Sequence, residues 1–232
     1  MKLSIIVPCY NEAQNIPLIL KAFGSVIKRD DVEVLLVNNG STDDSASVMA
    51  ELTAKTTFAR VVNVKVNQGY GFGIYSGLKA ATGDFVGWTH ADMQTDPRDS
   101  IKALEILESK TDPESWYVKG LREGRPWADE FFTAGMSLFE TLYLKTNLWD
   151  INAQPNIFHK SFLDEMSAPP KDFSFDLYAL YLAKQKGLSV ERFEVSFPPR
   201  IHGESSWNTG FASKWKFIKR TFEFSFKLKK EL

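Results

Sequence analysis

The chain has 232 residues, of which 44% are hydrophobic and 25% charged, the balance of an ordinary globular protein. Its 28 Lys and Arg nearly cancel its 29 Asp and Glu, which argues against a protein whose whole surface binds nucleic acid. The single cysteine, Cys9, cannot form an intramolecular disulfide and is typical of a reducing compartment. No apolar run reaches the roughly 20 residues that span a bilayer. We therefore expect a cytoplasmic protein, soluble or peripheral on the cytoplasmic face of a membrane.

The first hundred residues alternate short apolar runs with stretches of helical periodicity. The apolar runs predict strands at 3–7, 32–37, 62–66 and 84–89, and the segments between them predict helices. This β-α-β-α-β-α-β order is typical of a mostly parallel sheet with helices on both faces. The sequence thus predicts an α/β fold.

The second half of the chain is less regular. It predicts strands at 116–121 and 188–197 and helices at 131–144 and around 177–184. The chain contains no internal repeat, low-complexity tract or long linker. These features favour a single domain.

Polar and glycine-rich segments follow each of the four predicted strands of the first half. Because ligands of an open α/β sheet bind beyond the carboxyl ends of its strands, we expect these segments to meet at one edge. Each segment alone is typical of a turn, but four of them at one edge indicate a binding site. The segments are Pro8–Glu12, Asn38–Asp43, Asn67–Gly71 and His90–Pro97.

Asp92 and Gln94 are candidate metal ligands. In an extended segment, side chains at i and i+2 point the same way, so these two residues would present a carboxylate and an amide oxygen to one cation. Mg²⁺ or Mn²⁺ accepts such ligands and completes its shell with water and substrate phosphates. The alternative is a turn before Pro97, with Asp96 capping the next helix.

Together these motifs resemble those of the family 2 glycosyltransferases, which have the nucleotide-sugar-binding GT-A fold. The resemblance covers roughly residues 1–100 and is carried by IIVPCYNE, VLLVNNGSTDDS, NQGYGFGIYSGLKAATGD and ADMQTDP. Within the family, the chain is most similar to the polyprenyl-phosphate and dolichyl-phosphate mannosyl- and glucosyltransferases. These share the Asp-x-Gln pattern, a Gly-x-Arg seen at 120–122 and an Arg-x-x-Gly-Glu-Ser seen at 200–205. The resemblance implies one GT-A domain, with 1–100 as the nucleotide-sugar half and 101–210 as the acceptor half.

The resemblance implies that the segments after the first two strands contact the donor nucleotide. Pro8, Tyr10 and Glu12 would line the base and ribose, with Glu12 accepting hydrogen bonds from ribose hydroxyls. Asn38 and Asn39 would contact the base, in a motif where the family has Asp-Asp-Gly-Ser. An amide both donates and accepts hydrogen bonds, so recognition can survive this replacement.

His90 departs from the family pattern, which reads Asp-x-Asp-x-Gln and has an acid at this position. His90 could coordinate the cation, donate to a phosphate or pack at the end of the strand. Gly69 and Gly71 either let the backbone approach a ligand closely or serve tight packing. The sequence alone does not decide between these alternatives for His90, Gly69 or Gly71.

Three arginines are candidates to hold phosphate oxygens, because a guanidinium binds them bidentately. Arg122 and Arg200 match motif positions of the family, whereas Arg125 has only its proximity in the sequence. The alternative for each is an ion pair with a carboxylate of the protein.

Three further residues fall where the family has its acceptor-binding elements. Asn152 and Gln154 lie in the segment that corresponds to the acceptor loop. Asp176 matches a late acidic position, at which relatives that glycosylate a sugar hydroxyl have a general base. Asp176 could equally be a charge at a helix N-terminus with no catalytic role.

The resemblance therefore predicts an inverting, metal-dependent glycosyltransferase, with a nucleoside diphosphate sugar as donor and polyprenyl phosphate as acceptor. Its catalytic residues would be Asp92, Arg122 and Arg200, joined by Asp176 if the acceptor is a sugar hydroxyl of a surface polysaccharide. A non-catalytic protein that binds nucleotide sugars is the alternative outside this class. A dinucleotide-binding oxidoreductase is disfavoured, because the Gly-x-Gly stretch follows the third strand and not the first.

Residues 211–232 form a basic, aromatic segment, set apart from the domain at 1–210. They carry an excess of five positive charges, and large apolar residues recur at spacings of three or four. An interfacial helix on an anionic membrane has this pattern. The alternative is that the apolar residues pack on the protein's own core or on a second subunit. These residues are Phe211, Trp215, Ile218, Phe222 and Phe226.

Overall fold

The computed structural model describes residues 2–124, 127–198 and 211–231. Within these ranges, one sheet of seven strands is the centre of the fold. Its strands are β1 (Leu3–Cys9), β2 (Val32–Asn39), β3 (Ala59–Val64), β4 (Phe85–Trp88), β5 (Trp116–Glu123), β6 (Asn156–His159) and β7 (Ser189–Ser196).

Helices alternate with these strands through most of the chain. They are α1 (Ile16–Val26), α2 (Ser45–Thr53), α3 (Tyr70–Ala80), α4 (Pro97–Glu108), α5 (Trp127–Leu144), α6 (Phe175–Gln185) and α7 (Phe211–Glu231). Short 3₁₀ helices cover Pro113–Ser115 and Lys160–Glu165.

The strand order in the sheet is β3-β2-β1-β4-β6-β5-β7. Only β6 runs antiparallel, and it separates β4 from β5. The predicted α/β fold with a mostly parallel sheet is confirmed. The sequence did not predict β6, because a four-residue strand is too short to show a period.

The sheet is covered on both faces, so its strands are buried and strongly apolar. One core layer packs β-strand residues such as Leu3, Ile5 and Val7 against α1, α2 and α4. The other layer packs Ile6 and Trp88 against α3 and α6, with contributions from α5 and α7. The alternation of side chains along β1 therefore serves both layers.

Two sequence expectations about local structure can be compared directly with the fold. The third strand was expected to include Val66, but β3 ends at Val64 and the Val66 side chain is exposed. Asp96 caps α4 as expected, since its Oδ1 accepts a hydrogen bond from the Arg98 N–H at 2.9 Å.

The basic C-terminal segment is helical and packs on the rest of the protein. The Phe222 ring lies 4.2 Å from the Phe139 ring of α5, and Phe226 lies 5.0 Å from Tyr143. Leu228 is buried in the core. The side chains of Phe211, Trp215 and Ile218 lie outside those that the structure describes. None of the helices in the described ranges is long and apolar enough to cross a membrane.

Candidate active site

The loops that follow β1 and β2 are joined at the carboxyl edge of the sheet. The Thr42 N–H donates to Asn11 Oδ1 at 2.8 Å, and Asn11 Nδ2 donates to Thr42 Oγ1 at 3.2 Å. The Glu12 N–H donates to Ser45 Oγ at 2.9 Å. Tyr10 stands exposed beside these contacts. The structure thus brings together the two segments that the sequence assigned to the donor nucleotide.

The side chains of the segment Pro8–Glu12 differ in their burial and in their hydrogen bonds. Pro8 lies within β1 opposite Val37, and its side chain is half-buried. Glu12 Oε2 accepts a hydrogen bond from Asn15 Nδ2 at 2.6 Å, so part of its acceptor capacity serves the start of α1. Their roles toward base and ribose stay predictions.

The two asparagines at the end of β2 donate to acceptors of the protein. Asn38 Nδ2 donates to Asn63 Oδ1 at 3.2 Å, while Asn38 Oδ1 accepts from the Ser41 N–H at 3.1 Å. Asn39 Nδ2 donates to the Gly69 carbonyl at 3.0 Å. A carboxylate at position 39 would face that carbonyl with no proton to donate. The neighbouring hydrogen-bond partners thus account for amides at these two positions.

Asn39 also leaves one acceptor open at this edge. Its Oδ1 is buried and has no hydrogen-bond partner among the described residues. A buried amide oxygen without a partner costs about 1–3 kcal/mol relative to one that is hydrogen-bonded.

Gly69 and Gly71 are packed against the protein's own backbone. Gly69 has φ +114°, and a Cβ there would overlap the Lys171 carbonyl oxygen. A Cβ on Gly71 would lie 2.8 Å from Phe175 Cβ and 2.7 Å from the Asp172 carbonyl oxygen. Packing accounts for both glycines, and contact with a ligand stays a prediction.

Asp92 and Gln94 lie just beyond β4, but the segment between them is a turn. Met93 has φ +59°, so the chain is not extended here, and the expectation that it would be extended is wrong. Asp92 Oδ1 accepts from the Gln94 N–H at 3.1 Å, and this contact closes the turn. Gln94 Nε2 donates to the Pro198 carbonyl at 2.9 Å, which joins this loop to the segment after β7. Asp92 itself is buried.

The Asp92 carboxylate is compatible with a cation site whose remaining ligands come from the substrate. Within the described residues, no three or more His, Cys, Asp or Glu side chains are grouped closely enough to hold a metal. Mg²⁺ and Mn²⁺ bound by one carboxylate take their remaining ligands from waters and substrate phosphates. The donor set at Asp92 fits that kind of site and not an all-protein cage.

A buried chain of hydrogen bonds connects β4, β5, β6 and α6 beneath this edge. Asp176 Oδ1 accepts from Trp88 Nε1 at 3.1 Å and from Gln154 Nε2 at 2.8 Å. Gln154 Oε1 accepts from Asn156 Nδ2 at 2.6 Å, and Asn156 Oδ1 accepts from Lys119 Nζ at 2.7 Å. Two predicted acceptor residues, Gln154 and Asp176, are therefore in direct contact.

Burial changes the acid–base properties at both ends of this chain. It raises the pKa of the Asp176 carboxyl, against the opposing effect of the positive charges of Lys119 and His90. It lowers the pKa of Lys119 to about 7, against the opposing effect of the Asp176 carboxylate. The opposite charges of Lys119 and Asp176 thus partly offset the cost of burying each other. The side-chain amides of Asn156 and Gln154 lie between them. Lys119 is not recognisable from the sequence, since a lone lysine in a strand is usually exposed.

Tyr70, the first residue of α3, lies between the two acidic positions of the site. Its ring stacks on Phe173 at 4.7 Å and lies 6.1 Å from the His90 ring. Burial raises the pKa of the Tyr70 phenol, and the negative charges of Asp176 and Asp92 add to that effect. Tyr70 is not among the site residues predicted from the sequence, although an aromatic residue between two glycines of the motif is an available signal.

Of the predicted phosphate-binding arginines, only Arg122 can be placed. Its backbone N–H donates to Asp150 Oδ2 at 2.8 Å and its Nε donates to Asp150 Oδ1 at 2.9 Å. The guanidinium also lies 5.2 Å from the Phe197 ring. Arg122 is thus engaged in a buried ion pair, and its role toward phosphate stays a prediction. Arg125 and Arg200 lie outside the described residues.

Asn152 lies in the turn that follows the Arg122–Asp150 pair. Its side chain is half-buried, two residues before Gln154. This position places the predicted acceptor loop between the ion pair and the buried hydrogen-bond chain.

Comparison with known proteins identifies the family. The sequence profile of Glycosyl transferase family 2 matches residues 4–165, so the chain belongs to this family. An undecaprenyl-phosphate 4-deoxy-4-formamido-L-arabinose transferase of Sodalis glossinidius is 31% identical over 131 residues, which are 51% of this chain and 40% of that protein. An uncharacterised glycosyltransferase of Mycobacterium bovis is 28% identical over 207 residues, which are 87% of this chain and 88% of that protein.

Solved structures with the same architecture are more distant in sequence. Glucosyl-3-phosphoglycerate synthase from Mycobacterium tuberculosis in complex with UDP has a TM-score of 0.75 at 17% identity, over 98% of this chain and 80% of that chain. The same enzyme with Mn²⁺, UDP and glucosyl-3-phosphoglycerate has a TM-score of 0.72 at 18% identity, over 98% and 79% of the two chains. The predicted GT-A fold is confirmed by these likenesses.

Proposed function

We propose that the protein is an inverting glycosyltransferase that moves a sugar from a nucleoside diphosphate sugar to polyprenyl phosphate. The observation that carries the proposal is the meeting of four motif segments at the carboxyl edge of the sheet, with Asp92 buried just beyond β4. The relative from Sodalis glossinidius, named for transfer involving undecaprenyl phosphate, supports this acceptor class, although this chain spans only 40% of its length.

In the proposed reaction, the donor nucleotide lies over the loops after β1 and β2. Asn38 and Asn39 at the end of β2 would contact the base, and Glu12 offers an acceptor to the ribose. Asp92 and Gln94 would hold a divalent cation, Mg²⁺ or Mn²⁺. Such a cation, when bound, offsets the charge that develops on the departing diphosphate. The solved relatives with Mn²⁺ and UDP support this assignment.

The environment of Asp176 favours a phosphate acceptor over a sugar hydroxyl. Asp176 is only 2% exposed, and its Oδ1 already accepts hydrogen bonds from Trp88 and Gln154. A general base must lie within hydrogen-bond reach of the proton that it removes. A polyprenyl phosphate oxygen is anionic at neutral pH, so the reaction needs no such base. Asp176 then positions Gln154 in the acceptor loop.

The test is a transfer assay with a panel of nucleoside diphosphate sugars, Mn²⁺ and two acceptors, a short polyprenyl phosphate and a sugar alcohol. We expect transfer to the phosphate only. Asp92→Asn should reduce turnover by at least about a hundredfold, since a neutral oxygen replaces the charged ligand. Asp96→Asn, which changes a helix cap beside it, is the matched control. Donor binding without sugar release or transfer would indicate a non-catalytic nucleotide-sugar-binding protein.

The activity of the Asp176→Asn variant distinguishes a phosphate acceptor from a sugar-hydroxyl acceptor. Its amide oxygen can still accept from Trp88 and Gln154, so the local hydrogen bonds survive. Turnover within about tenfold of the wild type is expected for a phosphate acceptor, whereas loss of a general base costs roughly a hundredfold or more. A loss of that larger size would favour transfer to a hydroxyl in polysaccharide synthesis.

A further inference from the structure

Helix α5 presents a row of large apolar side chains to its surroundings. Trp127 is 81% exposed, Phe131 77%, Leu138 58% and Leu142 69%. At 3.6 residues per turn, these four positions fall within an arc of about 60° on one face of the helix. We call this row the α5 stripe. Scattered exposed apolar residues need no explanation, but four in one row mark an interaction surface.

The α5 stripe is not a poorly packed part of the core. The opposite side of the same helix is buried through Ser137, Glu140 and Leu144. Helix α7 covers a further side through the contacts of Phe139 and Tyr143. The fold therefore uses these two sides of α5 for packing and leaves the α5 stripe facing outward.

Helix α7 adds positive charge next to this row. From residue 219 to 230, its exposed side chains are four lysines, one phenylalanine and one glutamate. The phenylalanine, Phe226, contacts Tyr143 of α5 and so extends the apolar surface onto α7. Lys145, directly after the end of α5, is also exposed. The exposed residues of α7 are Lys219, Glu223, Phe226, Lys227, Lys229 and Lys230.

We propose that the α5 stripe and the exposed lysines of α7 dock the protein on an anionic membrane surface. Trp, Phe and Leu enter the interface between headgroups and acyl chains, while neighbouring lysines attract anionic lipid. The surface differs from the one expected from the sequence, since Phe222 and Phe226 of α7 make contacts with α5. The apolar part of the membrane contact comes mainly from α5.

Charge favours a lipid surface over a second copy of the chain. In a two-fold interface, each patch meets its own copy, so the lysines of α7 would approach each other. Only Glu223 among the exposed residues of α7 from 219 to 230 opposes them, and it already lies 3.8 Å from Lys219 of the same helix. An anionic bilayer compensates these charges.

Membrane docking is separate from the proposed reaction, since vesicle binding can be measured without any sugar transfer. The experiment is co-sedimentation of the full chain with phosphatidylcholine vesicles, with and without phosphatidylglycerol, at low salt. The apolar variant carries Leu138→Ser and Leu142→Ser. Its matched control is Val66→Ser, which changes a side chain 68% exposed in the loop after β3. A charge variant carries Lys145→Gln and Lys230→Gln, with Lys21→Gln and Lys28→Gln on and beside α1 as its control.

We expect the wild type to bind only the anionic vesicles. The apolar variant should bind at least about tenfold more weakly, and the charge variant roughly tenfold more weakly. Both controls should bind like the wild type, and circular dichroism should show every variant folded. Absence of binding to anionic vesicles, or equal binding by the apolar variant, would overturn the proposal. So would a concentration-dependent dimer in solution that the apolar variant abolishes.

Discussion

At the scale of single residues, the site combines groups whose identity is set by their immediate neighbours. Asn39 lies where the resemblance to the family predicts a carboxylate, yet its Nδ2 donates to the Gly69 carbonyl. Lys119 is buried and donates to Asn156 Oδ1 and the Ala153 carbonyl, and hydrogen bonds of Asn156 and Gln154 connect it to Asp176. Both residues can be tested by substitutions that change charge but little volume.

Asn39→Asp should destabilise the protein, although it restores a carboxylate of the family motif. The new oxygen would face the Gly69 carbonyl, and burying it there costs about 1–3 kcal/mol of unfolding free energy. Urea denaturation measures the change. Asn67→Asp, at an exposed neighbouring position, is the control and should cost less. A fully stable Asn39→Asp variant with raised activity would contradict our explanation.

Lys119 and Asp176 should be energetically coupled. Lys119→Met removes one of the two positive charges that offset the buried Asp176 carboxylate and should cost about 3 kcal/mol of unfolding free energy. In the double variant with Asp176→Asn, the second substitution removes the carboxylate charge itself. Urea denaturation of the four proteins should therefore give a coupling energy of at least about 1 kcal/mol. Simple additivity would show that the two groups do not compensate each other.

At the scale of elements, α3 and the pair formed by α5 and α7 are held by different kinds of contact. The start of α3 lies so close to the 170–172 backbone that Gly71 has no room for a side chain. Helices α5 and α7 instead meet through aromatic rings and a buried polar contact, in which Ser225 Oγ lies 2.7 Å from Glu140 Oε2. The contact of α3 therefore depends on the absence of a side chain at Gly71, and the contact between α5 and α7 depends on the protonation of Glu140.

Gly71→Ala should lower stability by about 1–3 kcal/mol, because its methyl group would overlap backbone atoms that cannot shift easily. Gly135→Ala in α5 is the matched control, since a Cβ there has no atom within 4 Å. That control should gain up to about 1 kcal/mol from the helix propensity of alanine. The melting temperatures of the two variants should thus move in opposite directions.

The contact between α5 and α7 should weaken as pH rises toward neutrality. Burial raises the pKa of Glu140 from 4.5 to about 7, against the effect of its hydrogen bond to Ser225. Because the folded state holds this proton more tightly, the stabilisation is complete at low pH and is lost as pH rises from about 4.5 to about 7. Ser225 Oγ also lies 2.8 Å from the Thr221 carbonyl oxygen, so its single proton can turn to that carbonyl once Glu140 is protonated.

Glu140→Gln tests this dependence. A neutral amide should remove the fall in stability and leave the variant more stable than the wild type at pH 8, by about 3 kcal/mol. Thermal unfolding from pH 5 to pH 8 measures both curves. Glu223→Gln on the exposed side of α7 is the control and should keep the wild-type slope. Parallel curves for wild type and Glu140→Gln would contradict the assignment.

At the scale of the whole molecule, the sheet brings distant parts of the chain to one edge. Strand β6 runs antiparallel between β4 and β5, and this places Gln154 beside Trp88 and Asp176. Gln94 meets Pro198 across more than a hundred residues of sequence. A ligand at this edge would therefore contact several elements at once, and its binding should stabilise the global fold.

A nucleoside diphosphate with Mn²⁺ should raise the melting temperature more than either component alone. A ligand at a hundred times its dissociation constant adds about 2.7 kcal/mol of stability. Differential scanning fluorimetry with a panel of nucleoside diphosphates measures the effect and identifies the base. Asp92→Asn should abolish the part that depends on Mn²⁺. Equal shifts in that variant would show that the cation binds elsewhere.

The sequence by itself determined the α/β order, the mostly parallel sheet and the family motifs at its carboxyl edge. These follow from local signals, because apolar periodicity and loop composition are readable within a few residues. Only the tertiary structure decided that Met93 turns the Asp92 loop, that Arg122 pairs with Asp150 and that Lys119 is buried behind Asp176. Each of these depends on which distant segments pack together. The same holds for α5 and α7, since pattern alone cannot tell a buried apolar face from an exposed one.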